Sequence, residues 1–411
     1  MLTFYYIPKC GVGQVKYRDF LWEVAVFVSV SCTQFKNKCS PYENFSLHLF
    51  RQRVKLALRH GKMSNSKEIF KLSNPAFLIG NGINYHSAAD DMNLSWTKLL
   101  IDLFPEKYKK EIIKQKKDNK SSEFNLEGIT YPEIAELALR YLKNDSSPNN
   151  KPEYSIKKQI CIDTHNFEIN LLSKLGTQNR YESIINFAKE NSIPILTTNY
   201  DFLLLKPLKL AKSKRKVDYL HCKVEEPFWI GKYDKSNRKP YHHPFNAYFR
   251  ETEFTENSKI QNEFAVWYIH GMKRYSSSLC IRNTDYNKKI AKINEYIKKY
   301  DDIQKSDWKG KGTWLNPFMN NDLLIIGLGL DSSETDLRWL LLERFLYQEF
   351  LKKKKKEYIP QKTIYVYSDD KEMPIGKRKL FESIGIECVK KTYDEVYTLD
   401  YIKIAPCSHK K

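Results

Sequence analysis

The sequence predicts an α/β fold: a mostly parallel sheet with helices on both faces, elaborated by helical and loop insertions. Three observations carry that reading. From residue 75 onward, short apolar runs alternate with stretches of helical period, the pattern of strands joined by helical crossovers. Several of these runs stop at a glycine or a short polar cluster, as strands do where they meet a turn. The chain of 411 residues is 41% apolar and 14% aromatic, which excludes a disordered chain and allows one large or two to three ordinary domains.

The elements follow in order. Residues 76–79 read as a strand ending at glycine, and 96–104 as an amphipathic helix. Residues 132–142 read as a helix with Pro132 in its first turn, and 181–190 as a helix followed at once by a strand over 193–197. Residues 264–269 and 323–326 are further strands. After the second, Ser333-Glu334-Thr335-Asp336 looks like a capping box opening a helix towards residue 350. Residues 363–367 and 386–389 are late strands with a helix between them. Two stretches break the rhythm: 143–154, rich in Asn, Asp, Ser and Pro, reads as a surface loop, and 206–256, mixing Lys, aromatics and Pro, as an insertion.

Composition bounds the function. Lys and Arg number 69 against 49 Asp and Glu, a net charge of +20, which keeps nucleic acid, acidic lipid and anionic cofactors in play. Part of that charge lies in residues 1–62, with ten Lys and Arg against three Asp and Glu. Met63-Ser64-Asn65-Ser66 reads as a natural start, so residues 1–62 are expected to be an N-terminal extension that need not be native, and 63–411 the functional domain. The eight cysteines contain no C-x-x-C pair, so no local zinc ligand set exists and no metal is expected. Apolar runs stay well short of the roughly 18 residues that cross a bilayer, and the longest, 20–30, contains Glu23. A cytoplasmic protein without a membrane partner is expected. The lysine run 352–356 reads as a solvated helix end.

Four segments could carry chemistry, each at the end of an apolar strand. Gly80-Asn81-Gly82-Ile83-Asn84 would let backbone amides approach a phosphate, with the positive end of a following helix behind them; Tyr85 stands where a dehydrogenase fingerprint has its third glycine. Thr197-Thr198-Asn199-Tyr200-Asp201 puts an amide and a carboxylate where open parallel sheets bind ligands, although an Asx turn explains the same residues. Ile269-His270-Gly271 offers an imidazole that is mostly neutral at cytosolic pH; a lone histidine is also a common structural residue. Ile326-Gly327-Leu328-Gly329-Leu330-Asp331 is a second glycine turn. Two such turns in one sheet suit a ligand with two nucleotide-like halves.

In this order, the four segments resemble the sirtuin family, and specifically the bacterial sirtuin-like NAD hydrolases of antiphage defence, across residues 75–400. Gly80 to Asn84 stands where sirtuins place their glycine-rich loop, and Thr198-Asn199-Tyr200-Asp201 where they carry Gln-Asn-Ile-Asp. His270-Gly271 is similar to their catalytic His-Gly, and residues 327–336 to their last nucleotide loop. Ser95-Trp96 and Trp339-Leu340-Leu341 resemble the defence branch. The four-cysteine zinc module of the deacetylases is missing, since only Cys280 lies between His270 and Gly327.

The resemblance implies a Rossmann-like NAD-binding catalytic domain over 63–411, with insertions around 105–180 and 206–256, that cleaves NAD to ADP-ribose and nicotinamide. Nicotinamide leaves as a neutral base from a cationic linkage, so the reaction needs a pocket tolerating an oxocarbenium-like ribose and a delivered water, with no general acid. Asn199 would hold the ribose and the water, and His270 would act as base. Asp201 would fix the Asn199 loop or pair with a ribose hydroxyl. Gly80, Asn81, Gly82, Ile83 and Asn84 would cradle the pyrophosphate, helped by the hydroxyls of Thr197 and Thr198. Gly327 and Gly329 would admit the adenosine half, with Asp331 a ribose contact. An abortive-infection effector of this kind needs control. No sensor domain is recognisable after residue 400, so a homo-oligomer or a partner is implied: a HerA-type ATPase, an Argonaute-like protein or a phage-derived activator, with nucleic acid reached through the partner. Other readings are a sirtuin-type deacetylase or ADP-ribosyltransferase, a non-catalytic nucleotide-binding module, and a nucleic-acid-associated subunit or nuclease.

Overall fold

The computed structural model describes residues 69–85, 96–106, 109, 129–145, 152–173, 178–207, 248–254, 260–331, 333–368 and 372–405. The expected extension 1–62, Ser95 and residues 208–247 of the second insertion lie outside these. The chain forms two compact units, Met1–Met63 with Met373–Ser383, and Ser64–Glu372 with Ile384–Lys411. In chain order the elements are β1 (Phe70–Leu72), β2 (Pro75–Ile79), α1 (Gly82–Tyr85), α2 (Trp96–Ile101), α3 (Tyr131–Asp145), α4 (Pro152–Ser173), α5 (Gln178–Glu190) and β3 (Ile195–Thr197). They continue with β4 (Tyr248–Phe254), β5 (Ile260–Tyr268), α6 (Asn283–Ile297), α7 (Tyr300–Ile303), α8 (Leu315–Asn320), β6 (Asp322–Ile326) and α9 (Thr335–Lys354). The last are β7 (Thr363–Ser368), α10 (Ile375–Ser383), β8 (Ile386–Lys391), α11 (Tyr393–Thr398) and β9 (Ile402–Ile404). Helix α10 is the described part of the first unit; everything below concerns the second.

Seven strands form one sheet in the order β4-β5-β3-β2-β6-β7-β8, parallel throughout except for β4, which pairs antiparallel with β5. β1 and β9 make a separate parallel pair. The chain enters the large sheet at its centre with β2, builds outward through β3 to β5, and returns beside β2 as β6 before continuing to β7 and β8. This is the strand order of a Rossmann-like doubly wound sheet, and its direction reverses between β2 and β6. Every residue of β2 and of β6 is buried, as expected of parallel strands covered on both faces.

One core lies against α5 and α11. Phe77, Ile79, Ile195, Val266, Leu324 and Val366 from the strands meet Ile184, Ile185, Ala188, Val396 and Tyr397 there, with the Phe77 and Phe187 rings stacked at 6.1 Å. A second cluster is built by α2 and the first insertion: Leu100, Ile134, Ala138, Leu139, Ile156 and Ile160 pack around Tyr200, Leu279 and Ile281. Those three belong to loops leaving β3 and β5, so this insertion braces the carboxyl edge of the sheet. At the opposite rim Arg344 of α9 is fully buried. Its guanidinium donates to Thr363 Oγ1 at 3.0 Å, to the carbonyls of Asn321 at 2.6 Å and Lys362 at 3.1 Å, and to that of Phe318. Asp322 accepts the Ser73 and Lys362 amides beside it, at 2.8 and 2.7 Å.

Several boundaries differ from the sequence pattern for local reasons. The helix expected over 96–104 stops at Ile101, and Leu103 and Phe104 form a turn, because Pro105 disfavours helix in the residue before it. The strand expected from residue 193 starts at Ile195, since Pro194 has no N–H for the ladder. The loop expected over 143–154 is overrun by α3, which continues to Asp145, and by α4, which starts at Pro152. The insertion expected over 206–256 supplies an edge strand, β4, at its end. Among the described residues no helix is long and apolar enough to cross a membrane.

Candidate active site at the carboxyl edge of the sheet

Gly80 follows β2 and Gly327 follows β6, so the two glycine turns sit on either side of the point where strand order reverses. They touch backbone to backbone: the Gly80 amide donates to Ile326 O at 3.0 Å and the Gly82 amide to Gly327 O at 2.7 Å. A Cβ on Gly80 would lie 2.4 Å from Gly327 O, one on Gly82 2.7 Å from Gly327 Cα, and Gly327 itself has φ +65°. Close approach of the two turns is therefore what requires glycine here. Of the Gly80–Asn84 amides expected to cradle a pyrophosphate, those of Gly80 and Gly82 are taken up by the neighbouring turn. Of the helix that follows, the described residues are the four of α1, Gly82–Tyr85.

Thr197 ends β3 in register with Ile79 of β2 and Tyr268 of β5. Its hydroxyl donates to Ile79 O at 3.0 Å and accepts the Asn199 amide at 3.1 Å, so Thr197 shapes the turn and is not left for a ligand. Asn199 is 2% exposed, and its Nδ2 donates to Gly80 O at 3.4 Å. Its Oδ1 is buried and accepts no hydrogen bond from the described residues. A buried amide oxygen left unpaired costs about 1–3 kcal/mol, which a donor such as a hydroxyl or water would recover.

Asp201 and Asn84 are buried together and hold the floor of the site. Asn84 Nδ2 donates to Asp201 Oδ2 at 2.9 Å and Asn81 Oδ1 at 2.8 Å, while Asn84 Oδ1 accepts the Tyr181 hydroxyl at 2.5 Å. Asp201 Oδ1 accepts the Leu203 amide at 2.9 Å. Of the two roles expected for Asp201, its contacts are those of a loop staple. The Asn84 side chain is likewise committed within the protein, contrary to the expectation of a cofactor contact. Burial, reinforced by the Glu168 carboxylate, pushes the Asp201 carboxyl up to about 6. The folded state thus holds this proton more tightly than the unfolded chain, whose carboxyl titrates near 3.9. Its contribution to stability is fully present below about pH 4 and is lost as the pH rises through about 6. Thermal melts from pH 4 to 7 are expected to show that loss in the native protein and not in Asp201→Asn; an unchanged slope in the variant overturns the assignment.

His270, two residues beyond β5, is 5% exposed. The Tyr286 ring meets it edge-on at 5.3 Å, and its Nε2 lies 3.1 Å from Asp336 Oδ2. The same carboxylate oxygen accepts from Lys289 Nζ at 2.7 Å, and the Lys289 ammonium stands 5.3 Å from the centre of the Trp314 ring. Burial, with the Lys289 charge, lowers the imidazole's proton affinity against an opposing pull from Asp336, so His270 is neutral at neutral pH. Burial works against ionisation of Asp336 too, but Lys289 and His270 hold its carboxyl well below the usual range. A neutral imidazole beside a carboxylate donates from Nε2, leaving Nδ1 as an acceptor. Gly271 has φ +92°, and a Cβ there would sit 2.1 Å from Ser278 O. The His270 carbonyl accepts the Cys280 amide at 2.8 Å, and the Tyr200 hydroxyl donates to the Cys280 carbonyl, tying the Asn199 and His270 loops together.

No protein-family model matches the chain, and comparison with curated proteins gives no significant match. The site is therefore read from its own residues. By strand register, Asn199 and His270 each stand two residues past the paired Thr197 and Tyr268, on adjacent strands. Thr198 is nearly buried and its amide donates to Ile79 O at 3.1 Å. Ile83 is fully buried in the core, which leaves Asn81, half-buried, as the polar side chain at the mouth of the first turn. In the last turn the Leu328 and Gly329 carbonyls accept the Tyr365 hydroxyl at 2.8 and 3.3 Å, and Asp331 is exposed, 2.9 Å from where a Gly329 Cβ would be. The capping box expected at the start of α9 is not formed. Glu334 is the N-cap residue without a side-chain cap bond, Ser333 Oγ accepts the Tyr131 amide at 3.4 Å, and Asp336 turns inward to Lys289 and His270. Lys289 and Asp336 are the site residues that sequence reasoning missed: one lies within an amphipathic helix, and the other was read as a cap.

Proposed function

We propose that this chain is an NAD glycohydrolase, cleaving NAD to ADP-ribose and nicotinamide. The observation that carries the reading is the pairing of Asn199, with a buried amide oxygen in need of a donor, and His270, a neutral imidazole, past matched positions of adjacent strands next to the reversal point of a Rossmann-like sheet. Ligands of such sheets bind at that edge. The likeness of the four motifs to sirtuins makes NAD the substrate. Asn199 would hold the nicotinamide ribose and the incoming water, and His270 would take a proton from water or a ribose hydroxyl as the glycosidic bond breaks. Asn81 and the Thr198 hydroxyl would contact the pyrophosphate and ribose. Gly327 and Gly329 would leave space for the adenosine half, and Asp331 would meet its ribose.

The same resemblance supports an abortive-infection role in antiphage defence. The enzyme would be a cytoplasmic homo-oligomer controlled by a HerA-type ATPase, an Argonaute-like protein or a phage-derived activator. Deacetylase chemistry with a structural zinc is disfavoured because Cys280 is the one cysteine between His270 and Gly327, where a four-cysteine module would need four.

The test is mass spectrometry of NAD incubated with the purified full chain, alone and then with cell extract or phage lysate. Nicotinamide and free ADP-ribose are expected, and Asn199→Ala should abolish them. ADP-ribose attached to protein would indicate a transferase, and intact NAD under every condition would remove the hydrolase reading.

A further inference from the structure

We propose that Lys289 and Asp336 are positioning residues for His270: Asp336 holds the imidazole with Nε2–H donated and Nδ1 bare, and Lys289 keeps that imidazole from capturing a proton. The inference deepens the hydrolase reading and rests on it for the role of His270 as base. The coupling between the three side chains is a property of the protein without NAD.

Three separate elements converge to make the cluster. His270 comes from the end of β5, Lys289 from the middle of α6, and Asp336 from the first turn of α9, and the Lys289 and Asp336 side chains are each 1% exposed. Packing alone does not account for an ammonium and a carboxylate here, because a well-packed apolar pair of similar volume is as stable or more so than a buried ion pair. The pair does have an electrostatic consequence for the ring. Lys289 and Asp336 cancel, so a proton on His270 would leave one uncompensated positive charge in a dry site. Without Lys289, imidazolium and Asp336 would instead form a neutral pair, the proton would stay on His270 at neutral pH, and Nδ1 could no longer accept one.

The other ionisable groups around the ring leave this balance in place. From α6 come Tyr286 and Asp285, the latter paired with Lys157 of α4 at 3.0 Å and with Arg282 at 3.6 Å. From the loops after β3 and β5 come Tyr200 and Cys280, whose protons burial holds firmly, and from the α9 N-cap comes Glu334. Asp336 Oδ1 is buried and accepts no hydrogen bond from the described residues, so the Lys289 ammonium and the neutral His270 imidazole both act through Oδ2.

The experiment is ¹⁵N NMR of the full chain labelled at histidine, with the His270 signals identified by their loss in His270→Gln. In the native protein the neutral Nε2–H tautomer is expected to persist to below pH 6.5. In Lys289→Met the His270 midpoint should rise by about one pH unit or more, an affinity for the proton about tenfold higher. Asp336→Asn should move the midpoint the other way, and it keeps the proposal testable if Lys289→Met does not fold. In parallel, the acid limb of NAD cleavage should move upward in Lys289→Met by the same interval, with the rate recovering at high pH. A merely structural lysine would lower the rate equally at all pH. A His270 midpoint that ignores both substitutions, or a native Nδ1–H tautomer, overturns the proposal. A midpoint that responds as expected in a protein that leaves NAD intact upholds the coupling and removes the hydrolase reading alone.

Discussion

Replacing His270 with alanine is expected to slow NAD cleavage about 10²- to 10⁴-fold, the range that a positioned general base supplies. The loss should fall on kcat with KM little changed, because a base acts in the transition state and contributes little to binding the ground state. The fold should survive the change. Asp336 would lose the Nε2–H but keep Lys289 at 2.7 Å, so the substitution leaves no buried charge without a partner. Release of nicotinamide under saturating and limiting NAD, with a thermal melt as control, checks this. A drop of only a few-fold in a folded variant would take the base role away from His270 and leave Asn199 as the principal group of the site.

Gly271→Ala should be the most damaging small substitution in the described chain. The residue has φ +92°, and the added carbon would lie 2.1 Å from Ser278 O and 2.4 Å from Ser278 C, all backbone that cannot swing aside. Left-handed strain of about 1–2 kcal/mol and overpacking of about 1–3 kcal/mol together give a loss of about 2–5 kcal/mol. Gly385→Ala is the internal control: Gly385 has φ +73° but nothing within 4 Å of its added carbon, so only the strain should be felt there. Denaturant unfolding of both variants separates the two contributions. Equal losses would show that the contact with Ser278 relaxes freely.

The sheet was legible because parallel strands buried on both faces read as unbroken apolar runs, as 76–79 and 323–326 do, and because the helices between them keep a helical period. β4 was not, since Tyr248–Phe254 has neither an apolar run nor a clean alternation, with Arg250, Glu251 and Glu253 among its seven residues. At the site, Asn199 and His270 stood out as polar residues at strand ends. What the sequence could not convey is which polar atoms find partners inside the protein. Thr197 and Asn84 read as ligand contacts from their position, and their hydrogen bonds turn out to be internal; for Asp201 both a loop role and a ribose contact were open, and its bonds are those of the loop role. The glycines of the first and last turns suggested room for phosphate, yet the partner that each approaches is the other turn, some 250 residues away along the chain. Lys289 and Asp336, separated by 47 residues and lying on different helices, carry no local signature that would join them to His270.

Arg344 secures the rim opposite the candidate site with a charge that acid does not remove. Burial brings its guanidinium down only to about 10, so the rim it secures keeps its charge and its hydrogen bonds across the whole span in which Asp201 and His270 exchange protons. The strands are anchored at the rim opposite the candidate site by a charge that neutral and acidic solution leave in place, like a comb held firmly by its spine.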